Sequence, residues 1–587
     1  MDKEKLLAQA KEYISLEKDQ YFKAQVQKLI DENNWEELND CFYTELAFGT
    51  GGLRGLIGGG YNRMNSFMVQ RATQGLANYI KKAAVSDKPA VVIAHDSRHF
   101  SDTFALDCAK VLSGNGIKAY LFTGLRPTPE LSFAVRYLKA TAGIVITASH
   151  NPKEYNGYKA FWDDGAQVLP PHDKGIIDEV RSVTSDIKTL SKEDGLKKGL
   201  IELIDKDIDH AFIEMVKNQA LRPDLIKEKG KDLKIVYTPL CGAGMMPVSR
   251  ALEEMGIKVS FVEDQKNPQG DFAGLKYPNP EEASAMAKSL ELAKKVKADL
   301  VFGTDPDADR LGIAVPDGDE YRLITGNQLG VLLEDYIFST RKELGTLPSK
   351  PAFIKTIVTT ELQRLIAEDY EALCIDTLTG FKYIGEKIRE FEAQEDGPSF
   401  IMGDEESYGF LIETEVRDKD AVSAATMTCE MALYHVSQGK SVLDRLNEIY
   451  DKYGYFEEAL ISQYFEGESG LKVMTGFMAM LRDEPPKLFA GEAVSELRDF
   501  KNGTTLWPQD GKKKQNIDLP SSNVLQFVLV DGSIISVRPS GTEPKIKFYA
   551  SCCSEKGTPL KTAKQIVGQK IEAIKNEVKT LIAKMHN

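Results

Sequence analysis

Residues 90–148 read AVVIAHDSRHFSDTFALDCAKVLSGNGIKAYLFTGLRPTPELSFAVRYLKATAGIVITA. The apolar, β-rich run Ala90-Val-Val-Ile-Ala94 predicts a strand, and helical spacing follows from about Asp102 to Leu112. That helix is expected to stop at Gly114-Asn-Gly116, because glycine readily adopts the conformation that ends a helix. Ile117 to Phe122 predicts a second strand. Thr128-Pro-Glu130 is expected to open another helix, with Thr128 as its cap and Pro129 in the first turn. Gly143-Ile-Val-Ile-Thr-Ala148 predicts a third strand. Strands alternating with helices of roughly 10–15 residues build βαβ units around a mostly parallel sheet.

Outward from this stretch the same rhythm returns twice. Leu233–Thr238, a helix near Val248 to Met255, Lys258–Val262, a helix from Pro280 and Asp299–Phe302 form one further unit. Phe353–Val358, a helix from Thr360, Leu373–Thr377, a helix from Phe381 and Ser399–Met402 form the next. The last segment differs. Val524–Val530 and Ser533–Val537 flank Asp531-Gly532, a strong hairpin signal, and an amphipathic helix is expected over Leu560 to Lys584. Toward the N-terminus lie a charged helical stretch, Asp2 to Leu38, and a helix from about Phe67 to Ala84. The expected fold class is three successive mixed or parallel-sheet α/β domains plus a C-terminal α+β domain around a central cleft. The breaks divide the chain into 1–200, 201–325, 326–445 and 446–587. A chain of 587 residues is too long for one core, since cores stop growing near ~300 residues.

Composition narrows the function classes. The chain is 42% hydrophobic and 28% charged, with net charge −14. Its mean hydropathy is −0.30 and its pI about 5.3. An acidic surface argues against nucleic acid but leaves room for a small phosphorylated ligand held by a few local cations. No apolar run approaches the ~20 residues that cross a bilayer. The Lys- and Glu-rich start, Met1 to Lys23, is unlike a signal peptide. Seven cysteines without C-x-x-C spacing suggest reduced thiols in a cytoplasmic protein.

Four polar motifs each follow a predicted strand: His95-Asp-Ser-Arg98, Ser149-His-Asn-Pro152, Asp305-Pro-Asp-Ala-Asp309 and Asp404-Glu-Glu-Ser407. Ligands of open α/β sheets bind beyond the carboxyl ends of strands. Asp305, Asp307 and Asp309 place three carboxylates on one loop. Two unit charges at ~5 Å cost roughly 3 kcal/mol at an effective dielectric near ~20, and a hard divalent cation such as magnesium removes that cost. A solvated acidic turn is the plain alternative. An EF-hand is excluded, because Arg310 and Pro316 stand where such a loop needs Gly and Glu. A haloacid-dehalogenase nucleophile at Asp305 lacks the following Thr. Ser149 ends a strand near this loop and could accept a phosphoryl group, whereas a turn-capping serine is the plain reading. Ser149 and His150 are not expected to form a dyad, because neighbouring side chains diverge. Gly49-Thr-Gly-Gly-Leu-Arg54-Gly55 lacks dinucleotide spacing and a Walker lysine, and suits a loop presenting Arg54 to an anion. Arg538-Pro-Ser540-Gly541-Thr542-Glu543 offers the donors a phosphate dianion needs; a surface turn is its alternative.

Together, Thr147-Ala-Ser149-His-Asn-Pro with Asn156-Gly-Tyr-Lys159, Asp305-Pro-Asp-Ala-Asp309-Arg310, Glu405-Glu-Ser407-Tyr-Gly409 and Arg538-Pro-Ser-Gly-Thr542-Glu resemble the α-D-phosphohexomutase family over roughly residues 45–550. The resemblance implies a four-domain, heart-shaped mutase that interconverts glucose 1-phosphate and glucose 6-phosphate through a phosphoserine and glucose 1,6-bisphosphate. It implies Ser149 as the phosphoserine, sharing Mg²⁺ with Asp305, Asp307 and Asp309. Arg54, Lys159 and Arg310 would surround the transferring group beside His150, with Lys159 the candidate proton carrier. Glu405 and Ser407 would hold sugar hydroxyls. Thr379, Gly380 and Lys382 match the loop of the glucose-specific members. Arg538, Ser540, Gly541 and Thr542 would grip the phosphate that is not reacting. Gly403-Asp404 and the charged N-terminal helix resemble instead the subgroup containing phosphopentomutases, so pentose or mannose phosphates are alternative substrates. A haloacid-dehalogenase-type phosphatase and a non-enzymatic sugar-phosphate sensor are the alternatives of other classes. The expected partners are small sugar phosphates, with no nucleic acid or membrane, and the protein is expected as a monomer or weak dimer.

Overall fold

The computed structural model describes residues 2–49, 51–84, 86–464, 467–539 and 545–585. Contacts divide the chain into two units. The first holds Met1–Gly326, Ile384–Gly403 and Ser407–Ser437, and the second Asn327–Tyr383, Asp404–Glu406 and Gln438–Asn587.

The first unit opens with three helices, α1 (Lys3–Leu16), α2 (Gln20–Asp31) and α3 (Trp35–Phe42), where one charged helical stretch was expected. The breaks have local causes. Glu17 is extended, and its buried carboxylate accepts hydrogen bonds from Lys18 N and Asp19 N. The Asp19 and Asn34 side chains then cap α2 and α3 by accepting from Tyr21 N and Glu37 N. Leu6, Tyr13, Val26, Leu38 and Phe42 join Phe67 in one core.

The first sheet contains β1 (Gly52–Leu56), β2 (Ala90–His95), β3 (Lys118–Phe122), β4 (Ala142–Ile146), β5 (Tyr155–Trp162) and β6 (Ile201–Ile204), in the order β1-β5-β4-β2-β3-β6. β2 pairs in parallel with β3 and β4, whereas β5 runs antiparallel to β4 and β1. Helices α4 (Ser66–Ala83), α5 (Ser101–Gly114) and α6 (Thr128–Tyr137) connect these strands. Each of β2 and β4 is buried along its whole length, as strands covered on both faces must be. The second sheet runs β11-β10-β9-β7-β8, from β7 (Ile235–Thr238), β8 (Val259–Phe261), β9 (Leu300–Thr304), β10 (Leu311–Asp317) and β11 (Glu320–Ile324). The helix expected from Pro280 begins at Ala283.

In the second unit, β12 (Pro351–Thr356) and β13 (Leu373–Thr377) pair in parallel. The C-terminal sheet is antiparallel throughout its described pairings, and the expected hairpin sets Leu525 opposite Val537, with Gly532 at φ 87° in the turn. Its core joins Ile357, Val358 and Leu378 to Phe500, Val524 and Tyr549. The last helix spans Leu560–Met585. All seven cysteines are free thiols. Among the described residues no helix is long and apolar enough to cross a membrane.

Candidate active site

β4 ends at Ile146 and delivers Ser149 on a short loop. Thr147 Oγ1 accepts from Ser149 N at 2.8 Å and donates to Asp96 Oδ2 at 2.7 Å. Asp96 also accepts from Arg98 N, Arg98 Nε and Ser101 Oγ. The fully buried Arg98 guanidinium then donates to the carbonyls of Ser149, Asn151 (2.6 Å), Pro152 (2.8 Å) and Tyr155 (3.1 Å). One planar fork therefore fixes the whole serine loop. Burial pushes the Asp96 carboxyl up, with Arg98 opposing it, and pushes Arg98 down, with Asp96 opposing it.

Ser149 itself has φ 53°, in the left-handed region. That conformation overturns the expectation that its side chain diverges from the next one. Ser149 Oγ lies 3.1 Å from His150 Nδ1 and donates to Asp305 Oδ2 at 2.9 Å. The hydroxyl has one proton, so with Asp305 as its acceptor His150 Nδ1 carries the hydrogen toward Oγ. Burial drives the imidazole well below its ordinary range, and Arg310 and Arg54 add to this, so the ring is neutral.

The Asp305–Asp309 loop directly follows β9. Asp305, Asp307 and Asp309 are buried, and each offers an oxygen within 4.8 Å of the others. Asp305 Oδ1 accepts from the backbone N–H groups of Asp309 and Arg310 at 3.1 Å. Lys159 Nζ sits 2.7 Å from Asp307 Oδ2 and 3.1 Å from Asp309 Oδ2, and Lys419 Nζ lies 3.3 Å from the latter. These cations outweigh burial and hold the Asp309 carboxyl below its usual range, Lys159 and Lys419 contributing before Arg310. Among the described residues Asp305 has no lysine ion pair, and Arg310 is the cation that opposes burial there. Burial raises the Asp305 carboxyl far above its usual range, with Asp309 and Asp307 adding. Burial acts against the Lys159 ammonium, yet Asp307 and Asp309 outweigh it and keep the group charged.

Asp307 Oδ1 and Asp309 Oδ1 are buried without a hydrogen-bond partner among the described residues. Orphaned carboxylate oxygens in a dry interior are costly, and an oxygen-only donor set beside them suits a hard cation. The residues present therefore fit a metal ion.

Strand register carries the arginine. Gly52 stands opposite Lys159 and Arg54 opposite Gly157, so Arg54 and Lys159 share one face of the β1–β5 pair. Thr128 corrects a second expectation. Pro127 occupies the cap position of α6 and Thr128 makes no capping bond. Its Oγ1 instead donates to Asp307 Oδ2 at 2.8 Å, while its backbone N–H donates to the Asp307 carbonyl.

In the second unit, Gly380 N donates to Glu405 Oε1 at 2.8 Å, which ties the Thr379–Gly380 turn to that carboxylate. Lys382 lies 5.3 Å from the centre of the Tyr383 ring. Tyr549 is raised by burial, with Glu406 adding and Arg538 opposing. Asp404 is buried and accepts from Gln363 Nε2 at 2.5 Å, and burial pushes its carboxyl up to about 7. Ser407, which belongs to the first unit, is half-buried beside Tyr408, itself at φ 64°. Ser540, Gly541 and Thr542 lie outside the described residues.

Ser149, His150, Lys159, Arg54, Arg310 and the three aspartates are thus assembled within the first unit, and Thr379, Gly380, Lys382, Glu405 and Arg538 belong to the second. Arg98 and Lys419 had no role read from sequence, and Thr128 only that of a helix cap. Arg98 stood in a noticed motif at a strand end. Lys419 follows no strand, and nothing local marked it.

Comparison with known proteins adds an independent line. Residues 45–186, 210–318 and 325–453 match the phosphoglucomutase/phosphomannomutase alpha/beta/alpha domains I, II and III, and 488–566 matches the C-terminal domain of that family. A phosphoglucomutase of Staphylococcus haemolyticus is 37% identical over 515 residues, covering 87% of this chain and 91% of its own length. One from Staphylococcus aureus MRSA252 is 37% identical over 520 residues, covering 88% and 91%. The open form of parafusin, a phosphoglucomutase from Paramecium, shares the fold at TM-score 0.68 and 18% identity, covering 92% of this chain and 96% of its own. A phosphoglucomutase/phosphomannomutase family protein from Burkholderia thailandensis does so at TM-score 0.64 and 17% identity, covering 91% and 98%. With four ordered segments matched and relatives 37% identical over nearly their full length, the chain belongs to the phosphoglucomutase/phosphomannomutase family.

Proposed function

We propose that this chain is a phosphoglucomutase, interconverting glucose 1-phosphate and glucose 6-phosphate through a phosphoserine at Ser149 and a glucose 1,6-bisphosphate intermediate. The observation that carries it is the buried Ser149 hydroxyl, 2.9 Å from Asp305 in a loop with two orphaned carboxylate oxygens. Asp305, Asp307 and Asp309, with an oxygen of the Ser149 phosphate, would hold Mg²⁺, which would neutralise charge on the phosphoryl oxygens when bound.

The chain's own residues do the rest. The Oγ–P bond of phosphoserine breaks as a bond from a sugar hydroxyl to that phosphorus forms, that hydroxyl's proton ending on Oγ. The bisphosphate then returns its other phosphate to Oγ, and the Oγ proton passes to the sugar oxygen released. When Ser149 is a free hydroxyl, Asp305 Oδ2 accepts the hydrogen bond from its proton and His150 Nδ1 donates to Oγ. Lys159, kept cationic by two aspartates, supplies charge beside the transferring group, together with Arg54 and Arg310. Glu405 and Ser407 are assigned to the sugar hydroxyls, and Thr379, Gly380 and Lys382 to the turn that selects glucose. Arg538, Ser540, Gly541 and Thr542 are assigned to the phosphate that is not reacting. Four domains with breaks near 200, 325 and 445, a cytoplasmic location and a monomer or weak dimer complete the reading.

A nucleophilic Asp305 is disfavoured, because both its oxygens already accept hydrogen bonds, Oδ2 from the Ser149 hydroxyl and Oδ1 from two backbone N–H groups. Intact-mass spectrometry of the purified protein should show a substoichiometric phosphate on Ser149 that excess glucose 1-phosphate removes. Ser149→Ala should abolish both the adduct and turnover; full turnover in that variant overturns the mechanism. Ribose 1-phosphate turned over faster than glucose 1-phosphate would keep the mutase and replace the substrate.

A further inference from the structure

Helix α2 lies outside every segment matched to the family, yet it touches the backing of two arginines at the site. On one side stands the Gly58-Gly59-Gly60 turn that follows β1, the strand of Arg54. Gln25 Oε1 accepts from Gly59 N at 3.0 Å. A Cβ on Gly59 would come within 2.6 Å of both Phe22 O and Val26 Cγ2, so the turn lies directly on the helix. Gly60, at φ 121°, is equally close to the Cys41 carbonyl of α3. The turn is held from behind by Asn65 Nδ2, which donates to Gly58 O and Gly60 O, and Met64 N donates back to Leu56 O at the end of β1. A displacement of the turn therefore has to move β1.

On the other side stands Phe100, two residues after Arg98 and at φ 63°. Its ring centre is 5.1 Å from those of both Tyr21 and Phe22, and Phe22 continues to Phe104 at 6.1 Å. Phe22 is fully buried in the same core as Leu53 of β1. One short stretch of the helix, Tyr21 to Val26, thus meets the turn after the Arg54 strand through a hydrogen bond and close backbone contact, and the Arg98 loop through aromatic packing.

We propose that α2 is a positioning element for the phosphoryl-transfer site, with Gln25 setting Arg54 through the Gly59 turn and Phe22 setting both Arg54 and Arg98. This rests on the assignment of Arg54 to the transferring group made above. Gln25 and Phe22 are positioning residues and touch no substrate. Arg54 supports charge that develops during transfer, so a shift of its strand lowers kcat more than it raises KM.

The test is a set of full-length variants assayed with glucose 1-phosphate. Gln25→Leu, which removes the acceptor from Gly59 N, is expected to lower kcat about fivefold to tenfold with KM changed less than about twofold. Gln25→Glu keeps an acceptor oxygen at that place and is expected to restore kcat to within about twofold of the parent. In an Arg54→Ala background Gln25→Leu should have no further effect, because its action runs through that arginine, whereas Phe22→Leu should still lower kcat through Arg98. An undiminished further fall from Gln25→Leu in that background, or failure of Gln25→Glu to rescue, overturns the Arg54 arm. A silent Phe22→Leu in that background overturns the Arg98 arm. Wild-type activity in Arg54→Ala alone would remove the assignment of Arg54 itself and the proposal with it.

Discussion

Arg98→Ala should be among the most damaging single changes outside the reacting groups. The guanidinium bonds Asp96 and four backbone carbonyls, all from the segment that carries Ser149, and it is fully buried. Removing one partner of a buried ion pair costs about 3–5 kcal/mol. Each orphaned carbonyl adds about 1 kcal/mol, less where water enters the gap. The terms overlap, so about 4 kcal/mol of local destabilisation is a fair expectation. That energy is lost in the loop rather than spread through the chain, and at about 1.4 kcal/mol per decade it corresponds to roughly a thousandfold rise in the open loop population. Turnover of glucose 1-phosphate should fall by about two to three decades. Hydrogen exchange at the amides of residues 149–155 should rise by a similar factor while the amides of β2 and β3 keep their protection. Arg98→Lys should recover little, because one ammonium cannot reach Asp96 and four carbonyls together. Wild-type kcat with faster loop exchange would show that the clamp is irrelevant to chemistry. Unchanged exchange would show that the loop needs no clamp.

Thr128→Val removes the hydroxyl donor to Asp307 Oδ2 at nearly constant volume; the concentration of Mg²⁺ giving half activity should rise about threefold to tenfold, measured by titration into chelated enzyme. Asp404 is held neutral by burial, its carboxyl pushed up to about 7. The folded state therefore keeps a proton that the unfolded chain releases above about 4, and stability falls as pH rises through that window and levels off above about 7. Asp404→Asn should flatten this slope in urea unfolding followed at Trp507, the tryptophan of the second unit, after Trp35 and Trp162 are replaced by Phe; a slope equal to the parent's would move the titration elsewhere. Asp307→Asn should weaken Mg²⁺ use, and chelation should silence the parent reversibly; equal activity in excess chelator would remove the metal.

The local signals in the chain were enough for elements and loops. Alternating β-rich runs and helical spacing placed β2, β3 and β4 within a few residues, because a strand buried on both faces has to be apolar throughout. Asp-Gly between two alternating runs placed the hairpin, because those residues accept the turn's backbone angles. The acidic loop was legible because carboxylates at alternating positions are hard to explain without a cation.

What the sequence could not settle depends on residues far apart in the chain. Thr128 looked like a cap because Thr-Pro-Glu satisfies the local rule, yet a hydrogen bond to Asp307, 179 positions away, engages its hydroxyl. Lys419 carried no local signal, and only the fold brings its ammonium within 3.3 Å of Asp309. Ser149 and His150 were expected to diverge because adjacent side chains usually do, and a positive φ at the serine reversed that. By itself the sequence determined the order of strands and helices, the chemistry on each loop and the family it resembles, since those follow from short-range patterning. Which cation faces which carboxylate, which oxygens stay unpaired and which helix backs the arginines were decided only by tertiary structure, because charge and hydrogen bonding act over a few ångströms of space, whatever the separation along the chain.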